Sequence, residues 1–226
     1  MGMHFGLAFW AFAAAALAGA IVYGLFFLNR PPSWTRAIGK TVMMAALTAA
    51  FVSIHTHPLL VLALGASALG DFALAFDKKW VLPLGILSFL IAQLAYFFIF
   101  FALWMFSGDN APLWPRYALM AAILLTSAGF LIWMAPKLGW MALGVVPYSI
   151  AITAMACQAM WLPWAGWPAM LGVLLFLTSD FVLAAELFRL PPDAPVRRVT
   201  VPVVWWTYAG AQLLIVTGIT LIVRQH

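Results

Sequence analysis

The sequence predicts an all-α integral membrane protein with about eight transmembrane helices, and three observations lead to that fold class. First, 66% of the 226 residues are hydrophobic and only 8% are charged, whereas soluble domains carry about 25% charged residues. Second, the mean hydropathy is +1.06. Third, the apolar residues form eight runs that each approach the roughly 20 residues a spanning helix needs. Membrane strands need only about 10 residues of alternating pattern, so a barrel is not predicted.

Short polar breaks separate the apolar runs. The breaks contain Pro, Gly, Asn and charged residues, which are typical of turns and helix starts, and none is long enough to link two domains. We therefore predict a single transmembrane domain over residues 1–226. Its helices are predicted at residues 5–28, 37–55, 58–76, 81–106, 115–135, 138–161, 165–188 and 201–223.

The distribution of Lys and Arg predicts the orientation of the helices. Nine of the eleven basic residues lie in the odd-numbered connections, and the other two, Arg116 and Arg224, lie on the opposite side. Because basic loops tend to stay in the cytoplasm, both termini are expected on the non-cytoplasmic side. We expect an integral protein of a bacterial inner (plasma) membrane. The nine residues are Arg30, Arg36, Lys40, Lys78, Lys79, Lys137, Arg189, Arg197 and Arg198.

The net charge of +5 does not indicate a nucleic-acid partner, because membrane topology accounts for the basic residues that produce it. A single cysteine, Cys157, excludes a disulfide framework and a thiolate metal site. The histidines are too scattered to predict a metal centre. We therefore predict no metal and no cofactor, with membrane lipids as the surroundings of the protein. The histidines are His4, His55, His57 and His226.

Two carboxylates, Asp71 and Asp180, lie inside predicted transmembrane helices. An ionisable group in the hydrocarbon costs a few kcal/mol or more, so it marks a functional site by default. Each lies six residues before another acid, Asp77 or Glu186, which puts both about 9 Å deep at 1.5 Å per residue. We expect Asp77 and Glu186 themselves to be solvated helix ends. The alternative for the deeper pair is a structural role, in which helix-to-helix hydrogen bonds satisfy buried acids.

Further polar side chains fall in the same cytoplasmic half of the predicted bundle, whereas the outer half has few. This asymmetry predicts a polar cavity that opens toward the cytoplasm, with the carboxyl groups of Asp71 and Asp180 within roughly 10 Å of each other. Individually these residues have ordinary structural explanations: hydroxyl groups bond their own backbone, Tyr anchors at interfaces and Lys40 can snorkel. The candidate substrate-binding residues are Lys40, Gln93, Tyr96, Tyr148, Ser179, Tyr208 and Gln212.

Two acids that share an apolar cavity cannot both ionise cheaply, so one is expected to keep its proton. Such a pair suits hydrolysis through an oxocarbenium-like state, in which one carboxyl group donates a proton and a carboxylate stabilises the cation or orients water. Intramembrane aspartyl proteolysis uses the same pair of groups. A third possibility is a proton relay in a small proton-coupled transporter or lipid-binding membrane protein. A carrier should be polar on both sides of the midplane, which this sequence does not predict.

Four short motifs stand on the predicted third, fourth, seventh and eighth helices: Ala-Leu-Gly-Asp-Phe at 68–72, Gln-Leu-Ala-Tyr at 93–96, Phe-Leu-Thr-Ser-Asp at 176–180 and Tyr-Ala-Gly-Ala-Gln at 208–212. They resemble the YhhN-like lysoplasmalogenase family, and the resemblance extends over nearly the whole chain. It implies cleavage of the vinyl-ether bond of lysoplasmalogens to a fatty aldehyde and glycerophospho-ethanolamine or glycerophospho-choline. Intramembrane aspartyl proteases resemble the chain poorly, because it contains neither Tyr-Asp nor Gly-Leu-Gly-Asp.

The resemblance implies that Asp71 and Asp180 are the catalytic residues. One would protonate the outer alkene carbon of a vinyl-ether lysophospholipid, and the other would stabilise the cation and activate water. Lys40, near the headgroup level, is expected to contact the phosphate, while apolar helix faces hold the alkenyl tail. Two positions depart from the family pattern that we expect: position 93 carries Gln instead of His, and Thr41 follows Lys40 in place of Pro.

Overall fold

The computed structural model describes residues 5–76, 78, 80–107 and 113–225. These residues form eight α-helices with no strand among them. The predictions that involve His4, Asp77, Lys79 and His226 lie outside the described residues. The helices are α1 (Leu7–Val22), α2 (Trp34–Ser53), α3 (Pro58–Leu74), α4 (Leu82–Ser107), α5 (Leu113–Leu138), α6 (Ala142–Ala159), α7 (Trp167–Phe188) and α8 (Arg197–Gln225).

All eight predicted runs are helical, and their boundaries differ by a few residues. The start of α2 lies at Trp34 rather than at residue 37, because the Ser33 side chain accepts a hydrogen bond from the backbone N–H of Arg36 and caps the helix. The start of α8 lies at Arg197 rather than at residue 201. In both cases basic residues that were predicted to lie in connections belong to the first turns of a helix.

Five segments are long and apolar enough to cross a membrane. They make the chain a membrane protein by length and composition, as predicted. Two helices fall outside this group: α3 is a shorter apolar helix, and α2 carries Arg36 and Lys40. The five segments are Leu7–Phe27, Leu82–Ser107, Trp114–Ala159, Trp164–Phe188 and Arg197–Gln225.

The segment Trp114–Ala159 is a helical hairpin. Its 46 residues would extend about 69 Å as one straight helix, more than twice the roughly 30 Å hydrocarbon core. The rings of Tyr117 and Trp161, at opposite ends of this stretch, have centroids only 5.4 Å apart. Gly139 supplies the reversal with φ +51°, a left-handed conformation that glycine adopts without steric cost. The chain therefore folds back between α5 and α6.

The chain divides into two compact units, Met1–Tyr96 and Phe97–His226. The first contains α1 to α3 and the start of α4; the second contains the rest of α4 and α5 to α8. The single domain over residues 1–226 stays a prediction.

In the first unit, α2 packs against both α1 and α3. The Arg36 Nη1 donates a hydrogen bond of 2.9 Å to the carbonyl oxygen of Ala75, which caps α3. Helix ends leave such carbonyl groups without intrahelical partners, so this bond links the start of α2 to the end of α3. The close approach of α4 depends on Gly70, where a Cβ would lie 2.6 Å from the ring of Phe89.

In the second unit, α7 and α8 pack with their backbones in contact. A Cβ at Gly218 would lie 2.4 Å from the Ala169 nitrogen, and one at Gly172 would lie 2.7 Å from the Ala211 oxygen. Rising numbers on α7 meet falling numbers on α8, so the two helices are antiparallel. Small residues at such crossings are typical of membrane helices, where close van der Waals packing replaces the hydrophobic effect.

Glu186 corrects one sequence prediction. It was expected to be a solvated helix end, but it is buried and its carboxylate accepts a hydrogen bond from the Thr200 hydroxyl. The Arg197 guanidinium covers the same helix end, donating to the carbonyl oxygens of Glu186 at 2.6 Å and Pro191 at 3.0 Å. The short connection therefore folds the first turn of α8 over the end of α7 and shields the acid from solvent.

Candidate functional site

An ion pair joins α2 and α3 in the first unit. The Nζ of Lys40 lies 3.6 Å from Oδ1 of Asp71, and the side chains are 17% and 1% exposed. The pair therefore stands at the edge of the packed helices with its carboxylate inside. Asp71 is confirmed as a buried acid.

The register of α2 on α3 produces this pair. Arg36 and Lys40 are four residues apart, and so are Asp71 and Ala75, which places each couple on one helix face. In the antiparallel arrangement Arg36 meets Ala75 and Lys40 meets Asp71. Two polar contacts one helical turn apart thus fix the depth of the Asp71 carboxylate relative to α2.

Two further candidates of the first unit lie on α4. Gln93 and Tyr96 are fully buried, and their spacing of three residues puts them on one face of the helix. Ser67, one turn before Asp71, donates its hydroxyl to the Ala63 carbonyl oxygen at 2.9 Å. Its own helix therefore accounts for that hydroxyl, which is the structural explanation expected for such residues.

In the second unit, Tyr148 on α6 and Asp180 on α7 form a side-chain pair. The Tyr148 hydroxyl donates a hydrogen bond to Oδ2 of Asp180. Asp180 is half-buried, and the neighbouring Phe181 ring stacks on Phe130 of α5, with centroids 4.3 Å apart. The Asp180 carboxyl group is therefore bonded to a phenol on α6, and the next residue of α7 packs against α5.

The remaining candidates of the second unit lie at the contact of α7 and α8. Ser179 is buried and donates its hydroxyl to the Val204 carbonyl oxygen at 2.9 Å, so this hydroxyl bonds one helix to the other. Tyr208 and Gln212 are also buried and lie four residues apart on α8. The Tyr208 ring packs edge-on against Phe176, with centroids 5.5 Å apart.

The structure thus places the predicted site residues in two groups. Lys40, Asp71, Gln93 and Tyr96 belong to the first unit, and the Lys40–Asp71 ion pair is its central contact. Tyr148, Ser179, Asp180, Tyr208 and Gln212 belong to the second, which contains the Tyr148–Asp180 hydrogen bond. A cavity common to both aspartates stays a prediction.

Sequence reasoning did not identify the direct partners of the two acids. Lys40 was assigned to a phosphate group, although its spacing of four from Arg36 was a signal that both basic residues face one neighbouring helix. No comparable signal identifies Tyr148 as the partner of Asp180. Among the described residues, no group of three or more His, Cys, Asp or Glu side chains is arranged to hold a metal ion.

Comparisons with known proteins cover almost the whole chain. The sequence model of the YhhN family matches residues 35–219, a range that contains every predicted site residue. Two curated relatives, the lysoplasmalogenase of Mycobacterium bovis and that of Mycobacterium tuberculosis, are each 33% identical to this chain. Each comparison covers 90% of this chain and 80% of the relative. No solved structure matches the chain.

Proposed function

This chain belongs to the YhhN family, and we propose that it is a membrane hydrolase that cleaves the vinyl-ether bond of lysoplasmalogens. The products are a fatty aldehyde and glycerophospho-ethanolamine or glycerophospho-choline. The observation that carries this proposal is the 33% identity, over 90% of the chain, to proteins named lysoplasmalogenase. Two buried or half-buried carboxyl groups with defined partners supply chemistry suited to that reaction.

In this proposal all eight helices cross the bilayer. The five apolar segments provide six crossings, because one of them is the hairpin of α5 and α6. The 20 residues of α2 and 17 of α3 extend about 30 Å and 26 Å, close to the hydrocarbon thickness of about 30 Å. Arg36 and Lys40 both have polar partners on α3, which lowers the cost of placing charge in α2.

The membrane orientation in this proposal follows from the positive-inside rule. Both termini lie on the non-cytoplasmic side of a bacterial inner membrane, and the catalytic groups lie in the cytoplasmic half. The substrate, a single-tailed lipid, enters the site from the membrane. Its alkenyl chain lies along apolar helix faces, while its glycerophosphate remains near the headgroup level.

The reaction needs one carboxylic acid and one carboxylate. The acid gives its proton to the outer alkene carbon, forming a C–H bond and leaving an oxocarbenium ion at the oxygen-bearing carbon. The carboxylate stabilises that cation and takes a proton from the water that adds to it, which yields a hemiacetal. The group that took the proton from water then gives it to the glycerol oxygen as that C–O bond breaks. The group that protonated the alkene accepts the proton of the hemiacetal hydroxyl. Aldehyde and alcohol leave, and both groups are reset.

The candidate binding residues orient the substrate around these two groups. Gln93 and Tyr96 in the first unit, with Tyr208 and Gln212 in the second, are buried polar side chains that can bind ether and hydroxyl oxygens. Tyr148 holds the Asp180 carboxyl group. Ser179 acts through the helix contact that its hydroxyl makes with Val204.

Turnover of a vinyl-ether lysolipid by the purified protein tests the proposed function. We expect a fatty aldehyde and the glycerophospho-alcohol in equal amounts, with no products from an Asp71→Asn/Asp180→Asn double variant. Mass spectrometry of both products provides the measurement. Absence of turnover by folded protein, together with proton-dependent solute uptake in liposomes that is lost in Asp71→Asn, would instead support a carrier.

A further inference from the structure

We propose that Lys40 is a positioning residue that holds Asp71 as the charged carboxylate, which gives Asp71 the base and cation-stabilising role and leaves Asp180 as the proton donor. This inference rests on the proposed vinyl-ether hydrolysis and divides its two roles between the acids. It also replaces the sequence expectation that Lys40 contacts the substrate phosphate.

The ion pair itself is the first support. An ammonium group 3.6 Å from a carboxylate that is 1% exposed favours the charged form of that carboxylate, because few water molecules can screen or replace the interaction. A carboxylate without such a partner would be costly at this depth. The Lys40 ammonium group therefore lowers the free-energy cost of keeping Asp71 charged among the packed helices.

The fixed register of α2 is the second support. Arg36 holds the Ala75 carbonyl oxygen at 2.9 Å, one helical turn from the ion pair, so the Lys40 stem starts at a defined height beside Asp71. The charged side chains of α2 are Arg36 and Lys40, and Tyr96 is the titratable side chain of α4. Lys40 forms the ion pair with Asp71.

Asp180 stands in a different electrostatic setting. Its hydrogen-bond partner is the neutral Tyr148 hydroxyl, and no ion pair to Asp180 occurs among the described residues of Phe97–His226. A phenol can donate to the carbonyl oxygen of a protonated acid as well as to a carboxylate. It supplies no charge that would favour the ionised form. Asp180 is therefore the group suited to carry the proton.

The position of the Lys40 ammonium argues against a primary role in phosphate binding. Lys40 is 17% exposed and its charge is already directed to Asp71, so a phosphate would compete with the catalytic carboxylate for the same cation. A headgroup ligand should matter only for substrates that carry the headgroup. A residue that sets the charge of Asp71 should matter for every vinyl ether that the enzyme cleaves.

The first experiment compares two substrates, a vinyl-ether lysophospholipid and the alkenylglycerol that lacks the phosphate. We expect Lys40→Met to lower kcat about 10²-fold on both, the range for impairing an acid–base group, with little change in KM. Lys40→Arg keeps the charge and should recover most of this loss. Lys137→Met removes an exposed lysine and should leave both rates unchanged. A higher KM for the lysophospholipid alone, with kcat preserved, would overturn the inference.

The second experiment reads the charge of each acid directly and needs no turnover. At neutral pH, the infrared difference spectrum of wild type minus Asp71→Asn should contain a carboxylate band, because the variant lacks that carboxylate. The difference spectrum of wild type minus Asp180→Asn should contain a protonated-carboxyl band, because the variant lacks that acid. The opposite assignment, or a protonated Asp71, would overturn the inference even if vinyl-ether hydrolysis holds.

The two experiments separate the inference from the function on which it rests. If wild type cleaves no vinyl ether, the proposed hydrolysis fails, and the spectra still report whether Lys40 holds Asp71 charged. If Lys40→Met does not fold, the spectra of the two aspartate variants decide the question without it. A folded Lys40→Met should gain a protonated-carboxyl band that disappears in Lys40→Met/Asp71→Asn, and absence of that band would count against the inference.

Discussion

Asp71→Asn and Asp180→Asn should each lower vinyl-ether hydrolysis by about 10²-fold or more, the contribution expected of an acid–base group. The amide preserves the size and planarity of the side chain, but it can neither donate the proton nor carry the negative charge. Both variants should remain folded in detergent, because Asn matches the volume of Asp, and the amide oxygen of Asp180→Asn can still accept the hydrogen bond from the Tyr148 hydroxyl. Initial rates of aldehyde release at saturating substrate measure the effect.

Asp193→Asn is the matched control for these substitutions. Asp193 lies exposed in the connection between α7 and α8, so the same chemical change there should leave the rate unaltered. Near-normal turnover in either purified, folded Asp71 or Asp180 variant would remove the two-carboxylate mechanism. A loss of turnover in all three variants would show that the assay responds to something other than the two acids.

A saturated alkyl-ether lysolipid should bind without being cleaved. Protonation at carbon requires the electron-rich alkene, and the alkyl ether offers no such carbon, although its headgroup and chain make the same contacts. We therefore expect competitive inhibition of vinyl-ether hydrolysis, with an inhibition constant within about tenfold of the substrate KM, since uniform binding interactions are retained. Steady-state rates at several inhibitor concentrations provide the measurement.

An ester lysolipid of equal chain length serves as the comparison compound. Ester hydrolysis requires attack on a carbonyl carbon, usually by an activated nucleophile or water beside an oxyanion hole, and it does not use carbon protonation. We expect no fatty acid release above the rate of the double aspartate variant. Cleavage of the alkyl ether at a rate comparable to that of the vinyl ether would refute protonation at carbon.

The helices were predictable from the sequence because hydropathy and helix breakers are local properties. Each apolar run became a helix. The break predicted at residues 136–137 was misplaced, because α5 continues through Pro136 to Leu138 and the chain turns at Gly139. The boundaries that failed were decided by individual contacts. Ser33 caps α2, and Arg197 bonds to the end of α7, so basic residues that resembled loop material lie inside helices.

The positions of Asp71 and Asp180 inside helices were also predictable, because both lie within apolar runs, and their catalytic role stays a prediction. The partners of the two acids were not predictable. The Lys40–Asp71 pair depends on the register of α2 against α3, and hydropathy carries no information on register. Glu186 shows the same limit. Its position near the end of the seventh helix predicted a solvated carboxylate, but the hydrogen bond from Thr200 of α8 accompanies its burial.

Isotope labelling of the products tests carbon protonation in a vinyl-ether hydrolase most directly. Hydrolysis in deuterium oxide should place a single deuterium on the aldehyde carbon next to the carbonyl group, because the acid delivers its proton there. In water enriched in oxygen-18, the glycerophospho-alcohol should keep the unlabelled ether oxygen of the substrate. Oxygen-18 in that alcohol would mean that water attacks the glycerol carbon and releases an enol, and this result would contradict the proposed reaction.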